Sequence, residues 1–155
     1  MDEWKLPWEG GCRCGALRFR VTAAPMITSA CHCTGCQRMT GSAYSLTATI
    51  PGAAFALLSG DPVVGGLRGP QVHHHHCSAC MSWVYTTVEG MDFFVNVRAT
   101  MLDDARWFEP FLECWTSEAL PWALIGTPRT HATMPTEMSE YQGLIAEFTD
   151  KGKRP

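Results

Sequence analysis

The sequence predicts a mainly β, mainly antiparallel fold, finished by one C-terminal helix. Three observations lead there. Apolar and polar residues alternate in several short runs, Gly, Pro and Asp separate those runs, and only one stretch has a helical apolar period. Leu17, Phe19 and Val21 alternate with Arg18, Arg20 and Thr22, the pattern of a strand with one face in the core. Tyr44, Leu46, Ala48 and Ile50 alternate with Ser45, Thr47 and Thr49 in the same way. The run from Trp83 to Val88 is rich in β-branched and aromatic side chains, and Phe93, Val95 and Val97 alternate again after Gly90. Asp103-Asp104 reads as the turn that follows, not as a catalytic carboxylate pair. Tyr141, Leu144, Ile145 and Phe148 then recur at i, i+3, i+4 and i+7 after Pro135. A helix over about residues 136–149 is expected, with Thr136 as its N-cap and its apolar stripe laid on the sheets.

The chain has 155 residues, 46% of them apolar and only 17% charged. Globular chains average about 25% charged residues, so a disordered polyelectrolyte is excluded. One domain over residues 1–155 is expected, with a core from about residue 10 to 125, because no linker or repeat divides the chain. A net charge of −3 gives no support for nucleic-acid binding. The first ten residues have no apolar core of a secretory leader, and Ala53 to Leu58 falls far short of the roughly 20 residues that span a bilayer. The expectation is a soluble cytoplasmic protein without a membrane partner.

Eight cysteines are too many for scattered core thiols, and in a reducing compartment clustered thiols read as metal ligands. Seven fall into three groups: Cys12-x-Cys14, Cys31-x-Cys33-x-x-Cys36 and Cys77-x-x-Cys80. Thiolates suit Zn²⁺, whose structural sites are closed tetrahedra, and tetrahedral sulfurs lie roughly 3.8 Å apart. Alternate residues of a strand are about 6.8 Å apart, so each Cys-x-Cys must bend. Gly10, Gly11, Gly15 and Gly35 are placed where an unusual φ would permit that bend. The simplest partition puts Cys12, Cys14, Cys77 and Cys80 in one closed site. Cys31, Cys33 and Cys36 then form a three-sulfur site with an open position, the arrangement of catalytic zinc. Spacing alone also permits the triplet to share sulfurs with either pair or to take His32 as a fourth ligand.

Gly11-Cys12-x-Cys14-Gly15-Ala16-Leu17, Cys31-His32-Cys33-x-x-Cys36-Gln37-Arg38-x-x-Gly41-Ser42 and Cys77-x-x-Cys80 together resemble the glutathione-dependent formaldehyde-activating enzyme family, which includes centromere protein V type proteins. The resemblance runs from about Gly10 to Pro121-Trp122 and covers all seven ligand positions in order. It implies an Mss4-like fold of packed antiparallel sheets and two zinc ions per chain. The structural ion would sit on Cys12, Cys14, Cys77 and Cys80. The other, on Cys31, Cys33 and Cys36, would serve glutathione-adduct chemistry, although this second site can stand empty in a purified protein. Many relatives have Gly where this chain has Met81, and Phe or a similar residue where it has His76.

An open-coordinate zinc would hold a thiolate or polarise an aldehyde, which makes a carbon–sulfur lyase acting on a small thiol and aldehyde the leading expectation. His32 is the candidate proton shuttle, or else a support for the metal ligands. Seven thiolates add seven negative charges and two Zn²⁺ return four positive, taking −3 to −6. An anionic thiol such as glutathione therefore needs local cations, and Arg13 and Arg38 are nearest in sequence. The competing expectations are a non-catalytic zinc-stapled binding module and a redox sensor built on the triplet. His73-His74-His75-His76 reads as a strand, with His73 and His75 on one face and His74 and His76 on the other, open to adventitious metal. Cys114 reads as a spare core thiol and the tryptophans as core, with Trp107, Phe108 and Trp115 able to line a pocket.

Overall fold

A computed structural model describes residues 3–66 and 69–155. Met1 and Asp2, part of the N-terminal stretch read above, lie outside it. The strands are β1 (Trp8–Gly11), β2 (Arg18–Val21), β3 (Ile27–Cys31), β4 (Ser45–Pro51), β5 (Phe55–Ser59), β6 (Pro62–Gly65), β7 (Val72–Cys77), β8 (Trp83–Val88), β9 (Phe94–Arg98), β10 (Leu112–Cys114) and β11 (Arg129–Thr130). Helix α1 (Thr34–Thr40) follows β3, and α2 (Met138–Lys151) ends the chain.

Two sheets form. β1, β2 and β5 make a small antiparallel sheet, and the other eight strands run in the order β11-β10-β3-β4-β9-β8-β7-β6. The main core lies where Leu17, Phe19 and Val21 meet Ala48, Ile50, Val84 and Val97, all fully buried. The alternation in β2 marks the core face as expected; in β9 Val95 and Val97 face the core, while Phe93 precedes the strand and is exposed. β4 departs from a one-faced pattern: Ser45 and Thr47 are buried as well as Ala48 and Ile50, because this central strand is covered on both sides. The large sheet is mixed rather than purely antiparallel. β10 pairs in parallel with both β3 and β11, and this pairing sets Cys114 opposite Cys31 of the second cysteine cluster.

Trp4, Trp8 and Trp107 pack with ring centroids 4.7–5.7 Å apart, and Trp4 also meets Phe148 of α2. Helix α2 docks through Phe148, Leu144 and Ile145 on Ile27, Phe111 and Leu112. The helix begins two residues later than expected. Glu137 is its N-cap without a side-chain bond, and Thr136 stays outside. Its first turn is held instead by Glu140, whose carboxylate meets His131 at 2.6 Å. The C-terminus is closed by the Gly152 N–H donating to Phe148 O at 2.7 Å.

Candidate metal centres and an adjoining cavity

The Cys12–Cys14 turn follows β1, and the Cys77–Cys80 turn joins β7 to β8. Their four sulfurs all lie within 4.8 Å of one another, with Cys12 and Cys14 at 3.5 Å and Cys14 and Cys77 at 3.9 Å. These separations suit a tetrahedral thiolate site. The backbone shapes it: Gly15 has φ 82°, Leu17 N–H donates to Cys12 Sγ at 3.2 Å, and Met81 N–H donates to Cys77 O at 2.9 Å. Met81 has φ 60°, the left-handed conformation that glycine adopts without penalty.

Gly10 and Gly11 serve differently from expectation. Neither has positive φ; they sit in β1, where a Cβ on Gly10 would stand 2.3 Å from Met101 O and one on Gly11 2.4 Å from Leu17 O. Close backbone approach, not turn geometry, requires glycine there. Gly35 also keeps negative φ, as the second residue of α1.

Four thiols this close cannot all ionise without a cation. The Ser82 hydroxyl and N–H groups lower Cys80 to about 5. The Ala16 N–H favours the Cys14 thiolate, but Cys12 and Cys80 push that thiol up to about 11. Cys12 moves down: burial opposes ionisation, and the Leu17 N–H with the Cys77 and Cys14 thiols outweighs it.

The second cluster is built where β3 ends and α1 begins. The sulfurs of Cys31, Cys33 and Cys36 lie within 4.8 Å of one another, and Cys36 N–H donates to Cys33 Sγ at 3.3 Å. β10 and the turn at Glu118 clamp this corner. His32 N–H donates to Cys114 O at 3.0 Å, Thr34 N–H donates to Glu118 Oε2 at 2.6 Å, and the Gln37 amide donates to His32 O and Glu118 O. Cys114 is buried, as expected of a core thiol, yet it is not remote: it pairs in register with Cys31, and the two thiols lie against each other. That contact raises the Cys31 pKa, and Cys31 with burial raises Cys36.

His32 lies fully buried, with Nε2 2.8 Å from Glu113 Oε1 and its ring edge-on to Tyr44. Glu113 also accepts from the N–H groups of Ile125, Gly126 and Thr127. Burial opposes its charge, but these donors and His32 lower its pKa to about 2. His32 therefore presents Nε2–H to a carboxylate and does not open to solvent.

A cavity of about 410 Å³ lies near the triplet, with none of the three cysteines among its lining residues. Ser45 on its wall lies against the Cys36 thiol, and Met39 and Trp83 pack on Cys33 and Cys36. Met81 and Ser82, just beyond Cys80, also line it, so it lies between the two cysteine sites. Arg13 and Arg38 are exposed and line neither this cavity nor a second one of about 490 Å³ between Trp8, Asp103 and Trp107. Arg98, absent from the sequence expectations, lines the cavity beside the triplet. Its signal was a cation ending the apolar alternation of β9; for Glu113 it was a lone charge inside Phe111-Leu112-Glu113-Cys114-Trp115.

The histidine run forms β7, but a bulge between His75 and His76 interrupts the simple alternation. His74 is buried against Trp83 and Thr86, and His75 stacks on Tyr85. Among the described residues, no group of three metal-donor side chains includes these histidines. Trp107 is core and lines the larger cavity, while Trp115 packs on the triplet.

The family described as glutathione-dependent formaldehyde-activating enzyme matches residues 7–118. A curated protein of Halomonas elongata, named "Putative glutathione-dependent formaldehyde-activating enzyme", is 33% identical over 88 residues, which cover 50% of this chain and 55% of that protein. The chain thus spans about half the length of the curated relative it matches. The crystal structure of a Rhodobacter sphaeroides protein shares the fold, with a TM-score of 0.53 and 16% identity over 79% of this chain and 98% of that one. Among the described residues, no helix is long and apolar enough to cross a membrane.

Proposed function

Because this chain belongs to the family of glutathione-dependent formaldehyde-activating enzymes, we propose that it forms or cleaves the adduct of glutathione, or a similar thiol, with formaldehyde or another small aldehyde. In the forming direction the thiol sulfur bonds to the carbonyl carbon, the C=O π pair moves to oxygen, and the thiol proton ends on that oxygen. The reverse direction breaks the C–S bond, as in a carbon–sulfur lyase.

One observation carries this reading: three clustered sulfurs lie behind the wall of a cavity, and the nearest alternative donor, His32, is outside that cluster with Nε2 on Glu113. Zinc held by Cys31, Cys33 and Cys36 would supply Lewis acidity and stabilise a thiolate. Cys12, Cys14, Cys77 and Cys80 would hold a second zinc that ties β1 to the β7–β8 turn. His32 and Glu113 keep the triplet corner in place rather than moving a proton. Ser45, on the cavity wall, is the hydroxyl that lies against Cys36. The cavity brings the two reactants together, which converts a bimolecular encounter into an oriented one.

Hemithioacetal exchange between glutathione and ¹³C-formaldehyde, followed by NMR exchange spectroscopy, tests the proposal. Acceleration by the metal-loaded protein, lost in Cys36→Ser, is expected. Equal rates with and without protein for several aldehydes would overturn it.

A further inference from the structure

Cys114 belongs to neither group of metal donors, yet its surroundings are not those of a spare core thiol. It is 4% exposed and ends β10, in register with Cys31 at the end of β3. Residues in register on neighbouring strands have Cα atoms about 4.8 Å apart and side chains on one face. A disulfide needs Cα atoms roughly 4.4–6.8 Å apart and converging Cβ vectors, so this strand pairing meets its requirement. The two thiols already lie against each other. The frame around them is held as well. The His32 N–H donates to Cys114 O at 3.0 Å, and Glu113 Oε1 lies 2.8 Å from His32 Nε2. Residues 32 and 113 thus fix the main chain beside both sulfurs, which need no rearrangement to meet.

The two sulfurs differ in access. Cys31 is half-buried while Cys33, Cys36 and Cys114 are buried, so a small oxidant reaches Cys31 first. We propose that Cys31 and Cys114 form a redox pair, in which a peroxide closes a disulfide that withdraws Cys31 from the metal-donor set. The Cys31 sulfur takes one OH group from hydrogen peroxide, the O–O bond breaks, and the thiol proton leaves with the other OH as water. Cys31 is then a sulfenic acid. The Cys114 sulfur attacks it, the S–O bond breaks, and the second water leaves with the Cys114 proton. The two sulfurs together lose two electrons, and the peroxide oxygens gain them. A disulfide sulfur is no longer a thiolate ligand, so a metal ion on the triplet loses one of its three donors and is released. The inference stands on the β3–β10 register and holds whether or not the site handles aldehyde adducts.

The test treats the full, zinc-loaded chain with hydrogen peroxide. Free thiols are then blocked with N-ethylmaleimide, unreduced peptides are mapped by mass spectrometry, and a chromogenic chelator reports released zinc. Expected are peptides joined through Cys31 and Cys114 and release of about one zinc per chain, both reversed by dithiothreitol and fresh zinc. Cys114→Ala should keep its zinc before oxidation but lose the linkage, and peroxide should leave roughly fivefold more Cys31 as sulfinic acid. Absence of the Cys31–Cys114 linkage, its replacement by one to Cys33 or Cys36, or linkage without zinc release would overturn the proposal. So would a fate of Cys31 that Cys114→Ala does not change. Loss of zinc from the unoxidised variant would overturn it too, by making Cys114 a ligand. If that variant does not fold, peptide mapping and zinc release in the unaltered protein decide alone.

Discussion

His32 and Glu113 form a buried contact across the β3–β10 junction, with Nε2 2.8 Å from Oε1 and neither side chain more than 1% exposed. The pair joins the residue between two candidate ligands to a strand 81 positions away, and Glu113 extends the link to the loop at Ile125–Thr127. A carboxylate this enclosed is stable only because every side of it meets a donor.

Glu113→Ala is expected to destabilise the metal-loaded protein by about 3–5 kcal/mol, because His32 and three backbone N–H groups lose their acceptor in the core. Glu113→Gln keeps the shape and costs less. Urea denaturation measures both; a loss below about 1 kcal/mol for the alanine variant would show that water replaces the carboxylate.

The same residue sets a pH dependence. Its pKa in the fold, about 2, lies below the ordinary 4.5, so its stabilising effect is complete above about 4.5 and is lost as pH falls toward 2. The stability difference between the natural protein and Glu113→Gln, compared in one metal state, should shrink across that window. A constant difference would mean that Glu113 is not ionised in the fold.

Met81→Gly should stabilise the chain. Met81 holds φ 60° with its side chain largely in solvent, and a left-handed conformation costs a non-glycine residue about 1–2 kcal/mol. The greater freedom of glycine in the unfolded chain offsets part of that gain, leaving a rise of about 2–4 °C in Tm. A fall in Tm would show that the Met81 side chain contributes packing at the cavity rim.

Gly10→Ala should act oppositely, with a loss of about 1–3 kcal/mol, because the new methyl would meet Met101 O at 2.3 Å and Phe19 Cζ at 2.5 Å. Denaturant unfolding checks it. A neutral result would require β1 to move away from the Met101–Leu102 backbone, which loss of the Gly10–Leu102 bridge would report.

The two cysteine sites should separate under metal analysis. Cys36→Ser is expected to lower bound zinc from about two equivalents to about one with the fold retained, and mild chelation should empty the same site first. Cys77→Ser, at a buried position joining β7 to the turn, should lose the other ion together with the β7–β8 structure. Mass-spectrometric zinc content and circular dichroism report both. Retention of two ions by Cys36→Ser would remove the triplet from the metal assignment.

Much of the fold was readable because its signals are local. Leu17, Phe19 and Val21 alternate over five residues and face one core, and the helical stripe ending at Phe148 needs only its own period. The start of α2 was misplaced because its first turn is fixed by Glu140 meeting His131, not by the available cap at Thr136. The glycines before Cys12 resemble turn residues in the sequence, where nothing reveals that Met101 O presses on Gly10.

Cysteine spacing by itself determined that seven sulfurs fall into three short groups, Cys12 with Cys14, Cys31 with Cys33 and Cys36, and Cys77 with Cys80. A short turn can gather its own sulfurs whatever the rest of the chain does, but bringing Cys14 to Cys77, 63 positions away, needs the fold. Only the tertiary structure decided what surrounds those sulfurs. The parallel pairing of β10 with β3 set Cys114 beside Cys31 and turned His32 toward Glu113, and the pairing of β9 with β4 brought Arg98 to the cavity wall in place of Arg13 and Arg38. The physical reason is sequence separation: contacts across some 50 to 80 residues depend on strand order and register in a whole sheet, which no local period encodes.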